Sequence, residues 1–163
     1  MNLSLSKTGD YVVRAALALA RTHGGGRYQK IREVAEQMDL PPRYTPQILG
    51  KLAKSGLAES RAGREGGYRL TRDPTDISLL EVVEAAEGEL RVGRCTLSGG
   101  PCHWEEMCAL HPAWETATQA FRETLEAASL ADVANVDERL EAGTEAISET
   151  THRFAWRTTE KPT

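Results

Sequence analysis

The sequence predicts a mainly α fold: a winged helix-turn-helix with a β-hairpin wing and a long C-terminal helix. Three observations predict it. Three short apolar stripes at helical spacing fill residues 8–55, a glycine-rich tip lies between two extended pieces at 57–71, and a longer amphipathic stretch begins at Pro112.

The elements follow in order. Val12, Ala15, Ala16 and Leu19 fall at i, i+3, i+4 and i+7, which predicts a first helix over about Thr8–Thr22, ended by the glycines after His23. Ile31, Val34, Ala35 and Met38 predict a short second helix over about 30–38, broken by Leu40-Pro41-Pro42. A third helix is expected over about Arg43–Ser55, with Thr45, Ile48, Leu49 and Leu52 on one side and Gly56 as its stop. Pro46 falls in its first turn, where a missing amide costs little.

Leu57–Arg61 and Tyr68–Thr71 read as strands around the tip Ala62-Gly63-Arg64-Glu65-Gly66-Gly67. Ser78 and Glu81 have capping-box spacing, with Ile77 and Val82 placed as a hydrophobic staple. They announce a helix from Leu79 to about Ala86, with Leu79, Val82, Val83 and Ala86 inward. A long helix over about Pro112–Ala127 then carries Trp114, Ala117, Phe121, Leu125 and Ala128 on one face. Ser129 with Asp132 starts a short helix to about Asn135.

This order divides the chain into a DNA-binding domain (1–89), a cysteine loop (90–111), a dimerisation helix with a short following helix (112–136) and a tail (137–163). The tail is acidic and polar with few apolar anchors, so it is expected to be disordered. The long helix has to cover its apolar face. A symmetry mate is the natural cover in a protein that reads two half-sites, and packing on its own winged domain is the alternative.

Charge points the same way. Residues 1–72 hold 13 of the 20 Lys and Arg but 6 of the 24 Asp and Glu, although the net charge is −4. A basic half joined to an acidic half reads as a polyanion-binding module attached to something else. No eighteen-residue apolar run marks a membrane span, and Asp10 and Arg14 interrupt the only stretch resembling a signal peptide. A cytoplasmic protein is expected. No nucleophile–base pair or phosphate loop marks an enzyme.

Arg43, Tyr44, Thr45, Gln47, Lys51 and Lys54 on the third helix are the candidate contacts to double-stranded DNA, with Arg61 and Arg64 on the wing. Gln pairs with adenine edges, and Tyr and Thr reach phosphates or thymine methyls. Lys51 and Lys54 suit the backbone, and wing arginines suit a narrow minor groove.

Cys95, Cys102 and Cys108 have the spacing C-x6-C-x5-C, with His111 three residues further on. Thiolates are soft ligands for zinc, Cu(I) or iron–sulfur clusters. Structural zinc sites usually contain a tighter pair of cysteines, whereas longer spacing around Gly99-Gly100-Pro101 leaves room for a larger object. A cluster, a zinc ion and redox thiols all remain open on this chemistry.

The stretch Gly56–Glu89 resembles the Rrf2 family of bacterial regulators, whose wing run R-x-G-x-x-G-G-Y-x-L is met by Arg61, Gly63, Gly66, Gly67, Tyr68 and Leu70. The openings LSKTGDYVVRAALALA and IREVAEQMDLPPRYTPQILGKLAKSGL are also similar to it, so the resemblance covers about residues 1–136. It implies a homodimeric regulator, more often a repressor, acting on a palindromic operator. Two departures, Glu65 and Pro46, bear on which DNA sequence is read.

The resemblance also implies that Cys95, Cys102 and Cys108 ligate an iron–sulfur cluster, 2Fe–2S or 4Fe–4S, with zinc as the alternative. For relatives similar to the cluster-biogenesis regulator the fourth ligand is His111. For those similar to the nitric-oxide sensor it is an aspartate of the other subunit, the residue at Asp10; His103 has no such counterpart. Such a cluster would sense nitric oxide, redox state or cluster supply.

Overall fold

The computed structural model describes residues 5–90 and 108–144. Cys95, Cys102 and His103 lie outside the described residues. Among the described residues there are six α-helices: α1 (Lys7–Arg21), α2 (Ile31–Gln37), α3 (Thr45–Lys54), α4 (Leu79–Glu87), α5 (His111–Ala127) and α6 (Leu130–Glu141). One antiparallel hairpin joins β1 (Ala58–Arg61) to β2 (Gly67–Leu70), in the register Ala58↔Leu70 to Arg61↔Gly67. The mainly α, winged architecture is therefore the one expected.

Helix α1 is the hub. Its stripe Val12, Ala15, Ala16 and Leu19 is no more than 1% exposed, and Leu17, Ala18 and Ala20 are buried as well. A stretch buried on every side, as residues 15–20 are, must be surrounded. It is, by α2, α3, α4, α6 and β2.

The helix-turn-helix is set by its two stops. Helix α2 ends at Met38, and the Leu40 amide reaches back to the Ala35 carbonyl at 2.8 Å. That closure requires a left-handed residue between them, here Asp39 at φ 49° rather than glycine. Helix α3 begins at Thr45, two residues later than its periodicity suggested. Tyr44 and Thr45 donate their amides to the Pro41 carbonyl, which holds residues 42–44 as turns before the helix starts. Gly56, at φ 79°, ends α3 in the same way as Asp39 ends α2, with the Leu57 amide on the Leu52 carbonyl at 3.0 Å.

The two-stranded wing is tied to the segment before α2 by one further bridge. Gln29, just before α2, exchanges two backbone bonds of 2.8 Å with Tyr68 on β2. The paired glycines owe their place to close backbone approach as much as to turning. A Cβ on Gly67 would lie 2.1 Å from the Gln29 carbonyl oxygen, and one on Gly66 would lie 2.0 Å from that of Arg61.

Ser78 and Glu81 form the expected capping box, and Ile77 and Val82 are fully buried beside it. Leu80 is buried, while Leu79, Val83 and Ala86 are only half-buried, a correction to the expected inward face. Helix α4 is packed by α1 on one flank and α5 on another, which rotates its buried face. Ser129 caps α6, and the two capping serines lie side by side in an antiparallel bridge. Leu79 donates to the Ala128 carbonyl and Leu130 to that of Ile77. Leu130 is thereby driven into the core, at 0% exposure.

The acidic segment after Asn135 departs from expectation. Helix α6 continues to Glu141, and Asp137 is buried against Arg21 at the end of α1, at 2.5 Å. Composition alone marked residues 137–141 as tail; a buried cation on a distant helix recruits them into the fold.

Candidate nucleic-acid interface and cysteine segment

Arg43, Tyr44, Gln47 and Lys54 are exposed on or just before α3, with Tyr44 57% exposed. Ile48, Leu49 and Leu52 on the opposite side are buried, so α3 offers one polar face to a groove. Thr45 is a correction. It is fully buried, and its hydroxyl donates to the Pro41 carbonyl at 3.0 Å, so it ties the helix start to the preceding turn and faces away from DNA. Its position in the apolar stripe was the better guide than its residue type.

Lys51 is exposed, but its ammonium donates to the Ala86 carbonyl in the last turn of α4, at 3.2 Å. It must leave that carbonyl to meet a phosphate. On the wing, Arg61 and Arg64 are both exposed. Lys30, at the start of α2, donates to the backbone carbonyls of Gly63 and Arg64 and so clamps the wing tip.

A cluster missed by sequence reasoning lies on the hairpin face. Glu59 and Arg69 are cross-strand partners, and Arg61 follows Glu59 by two residues, so all three share a face. Tyr28 packs beneath them. Its hydroxyl donates to Glu59 Oε1 at 2.8 Å, and Arg69 Nε donates to the same oxygen at 2.6 Å. The Tyr28 bond and then Arg69 hold the Glu59 carboxyl below its ordinary range, while the same carboxylate raises Tyr28. The only signal was an aromatic residue placed between Arg27 and Lys30 in a basic segment.

At the cysteine segment, Cys108 is a free, half-buried thiol. The His111 amide donates to the Cys108 carbonyl at 3.1 Å, so thiol and imidazole bracket the first turn into α5. The His111 ring is exposed, with Glu115 3.7 Å away. Asp10 lies in the first turn of α1 and is paired with Arg14 of its own helix at 2.9 Å. No three metal-ligating side chains meet among the described residues. One thiol and one imidazole at a helix start are soft and borderline donors that fit a cluster or zinc.

Helix α5 has no buried residue, and Phe121 is 39% exposed. Its stripe of Trp114, Ala117, Phe121 and Leu125 is thus largely uncovered by this chain, although α5 is tied to α4 by Arg122 and Glu84 at 3.2 Å.

The family model described as Rrf2, iron-dependent transcriptional regulator, matches residues 5–136. The putative HTH-type transcriptional regulator Rv1287 of Mycobacterium tuberculosis is 34% identical over 132 residues, covering 81% of each chain. The HTH-type transcriptional regulator IscR of Klebsiella pneumoniae is 28% identical over 153 residues, or 94% of this chain and 93% of that one. Among solved structures, CymR, the global cysteine regulator of B. subtilis, is similar with a TM-score of 0.70 and 25% identity, over 83% of this chain and 98% of its own. T. potens IscR is similar with a TM-score of 0.66 and 26% identity, over 93% and 98%.

Proposed function

The chain belongs to the Rrf2 family of transcriptional regulators, and from that premise we propose that it is a homodimeric repressor of a palindromic operator, controlled by an iron–sulfur cluster. Cys95, Cys102 and Cys108 hold the cluster, with His111 as fourth ligand. The observation that carries this reading is the double character of α5. Cys108 lies just before its first residue, His111, and its flank bears an apolar face that this chain leaves open.

A second subunit packed along that face would pair two copies of α3 at the spacing of two half-sites. Tyr44, Gln47, Arg43 and Lys54 then read or grip the major groove, and the wing arginines follow the adjacent backbone or minor groove. No helix among the described residues is long and apolar enough to cross a membrane, and the protein acts in the cytoplasm on this reading.

A cluster, when bound, supplies a centre sensitive to nitric oxide, oxygen or redox poise. A non-thiolate ligand is the weakest point of such a site and the natural place of entry. His111 follows Cys108 by three residues in the same chain, which favours it over the partner subunit's Asp10.

Anaerobic purification tests the cofactor. A coloured protein with matched iron and sulfide supports it, and Cys102→Ala abolishes the colour while leaving the circular dichroism spectrum intact. A colourless protein with stoichiometric zinc replaces the sensor with a zinc-stabilised winged helix. Equal DNA affinity of cluster-bound and cluster-free protein refutes the control mechanism alone.

A further inference from the structure

We infer that Tyr28 is a positioning residue of the DNA interface, its ring holding the wing arginine Arg61 ready for the phosphate backbone of duplex DNA. The inference rests on the DNA-binding reading above and adds to it a residue outside both the recognition helix and the wing.

The geometry separates the two arginines that share the ring. The Arg69 guanidinium is 4.6 Å from the Tyr28 ring centroid, and it also donates to Glu59 and reaches the Gly26 carbonyl at 3.5 Å. Its charge is answered within the protein. The Arg61 guanidinium is 5.9 Å from the same ring, is exposed, and makes no ion pair among the described residues. The ring's negative face attracts a cation without neutralising it, so Arg61 keeps its full charge for an outside anion.

Glu59 would repel DNA if left alone on this face. The Arg69 guanidinium bonds its Oε1 and answers that charge, and the Tyr28 hydroxyl shares the same oxygen. The face therefore presents one unanswered positive charge, on Arg61. A guanidinium already resting on an aromatic surface loses less rotamer freedom on binding than a free one. The backbone beneath is braced as well, by the Gln29–Tyr68 bridge and by Lys30 on the wing-tip carbonyls. Nothing in this arrangement reads bases, so the effect belongs to any duplex and needs no operator.

The test uses the full-length protein and a labelled random-sequence duplex of about 30 base pairs, titrated at several salt concentrations. Arg61→Ala is expected to weaken binding and reduce the slope of log affinity against log salt by about 0.9. Tyr28→Leu, which removes the ring, is expected to weaken binding about two- to fivefold. Tyr28→Phe keeps the ring and is expected to stay close to wild type. In the Arg61→Ala background, Tyr28→Leu is expected to cost nothing further. Arg61 side-chain δ protons are expected to carry a ring-current shift in the wild type and in Tyr28→Phe that Tyr28→Leu loses. A merely structural role would not produce this shift or the lack of additivity.

Wild-type affinity in Tyr28→Leu, an undiminished loss in the Arg61→Ala background, or an Arg61 shift indifferent to the ring each overturns the inference. Wild-type protein that binds no duplex even at low salt overturns the DNA-binding reading and this inference with it.

Discussion

Removing Arg21 tests whether the end of α6 belongs to the fold. The Arg21 and Asp137 side chains are 7% and 6% exposed, and they meet at 2.5 Å. Removing one partner of a buried pair typically costs about 3–5 kcal/mol, because the other charge stays buried and uncompensated. Arg21 also meets Glu141 at 2.9 Å and Glu138 at 3.9 Å, but those carboxylates are about half exposed and together add no more than about 1 kcal/mol. Arg21→Ala takes the buried cation away from Asp137 and should cost about 3–4 kcal/mol. Asp137→Asn leaves Arg21 with Glu141 and should cost only about 2 kcal/mol. For a chain of this size the first figure corresponds to a fall in Tm of roughly 8–15 °C, read by far-UV circular dichroism at fixed protein concentration. The double variant Arg21→Met with Asp137→Leu removes both charges and should recover most of the loss. Arg21→Ala melting within about 1 °C of wild type would refute the reasoning.

Three further outcomes follow from single observations. Gly67→Ala forces a Cβ to 2.1 Å from the Gln29 carbonyl oxygen at φ 149°, so it should cost on the order of 2–3 kcal/mol in urea unfolding and weaken DNA binding with it. Burial would push the Glu81 carboxyl up, but the Ser78 amide and Arg72 outweigh it and hold it below its ordinary 4.5. A depressed carboxylate stabilises above its unfolded value and loses that contribution as pH falls through its folded one; urea titrations below about pH 4.5 should therefore show a smaller decline for Glu81→Gln than for wild type. Phe121→Glu places a charge on the open face of α5 and should weaken self-association on the order of a hundredfold, read by light scattering; an unchanged dimer would remove α5 from the interface.

Much of the fold was legible because its signals are local. The capping box at Ser78, the stop at Gly56 and the stripe of α1 each need only neighbours in sequence, and each has its place in the structure. What escaped depends on partners far along the chain. Asp137 looked like part of an acidic tail because its cation, Arg21, stands 116 residues away. Tyr28 carried no local sign of a role, because Glu59 and Arg69 reach it only when the hairpin folds over the segment before α2. Thr45 is the instructive case at the site. Periodicity placed it inward and residue type placed it on DNA, and the buried hydroxyl satisfied by Pro41 shows that position outranks type inside a helix.

The same contrast of local and distant contacts gives the proposed control a physical route. The chain leaves the winged domain through the last turn of α4, and that turn is gripped from three sides. Lys51 of α3 donates to the Ala86 carbonyl, Glu87 accepts from the amide and hydroxyl of Ser6 at the start of α1, and Arg122 of α5 bonds Glu84 and the Leu90 carbonyl. A displacement arriving at Leu90 therefore meets the recognition helix, the central helix and α5 within one turn. Each grip is a partly exposed hydrogen bond worth about 0.5–1.5 kcal/mol. Their sum is a few kcal/mol, enough to keep α3 registered against α4 at rest and little enough for one ligand-exchange event to release. Release of Lys51 would also return its charge to the DNA face, so α3 need not move as a whole for its affinity to change.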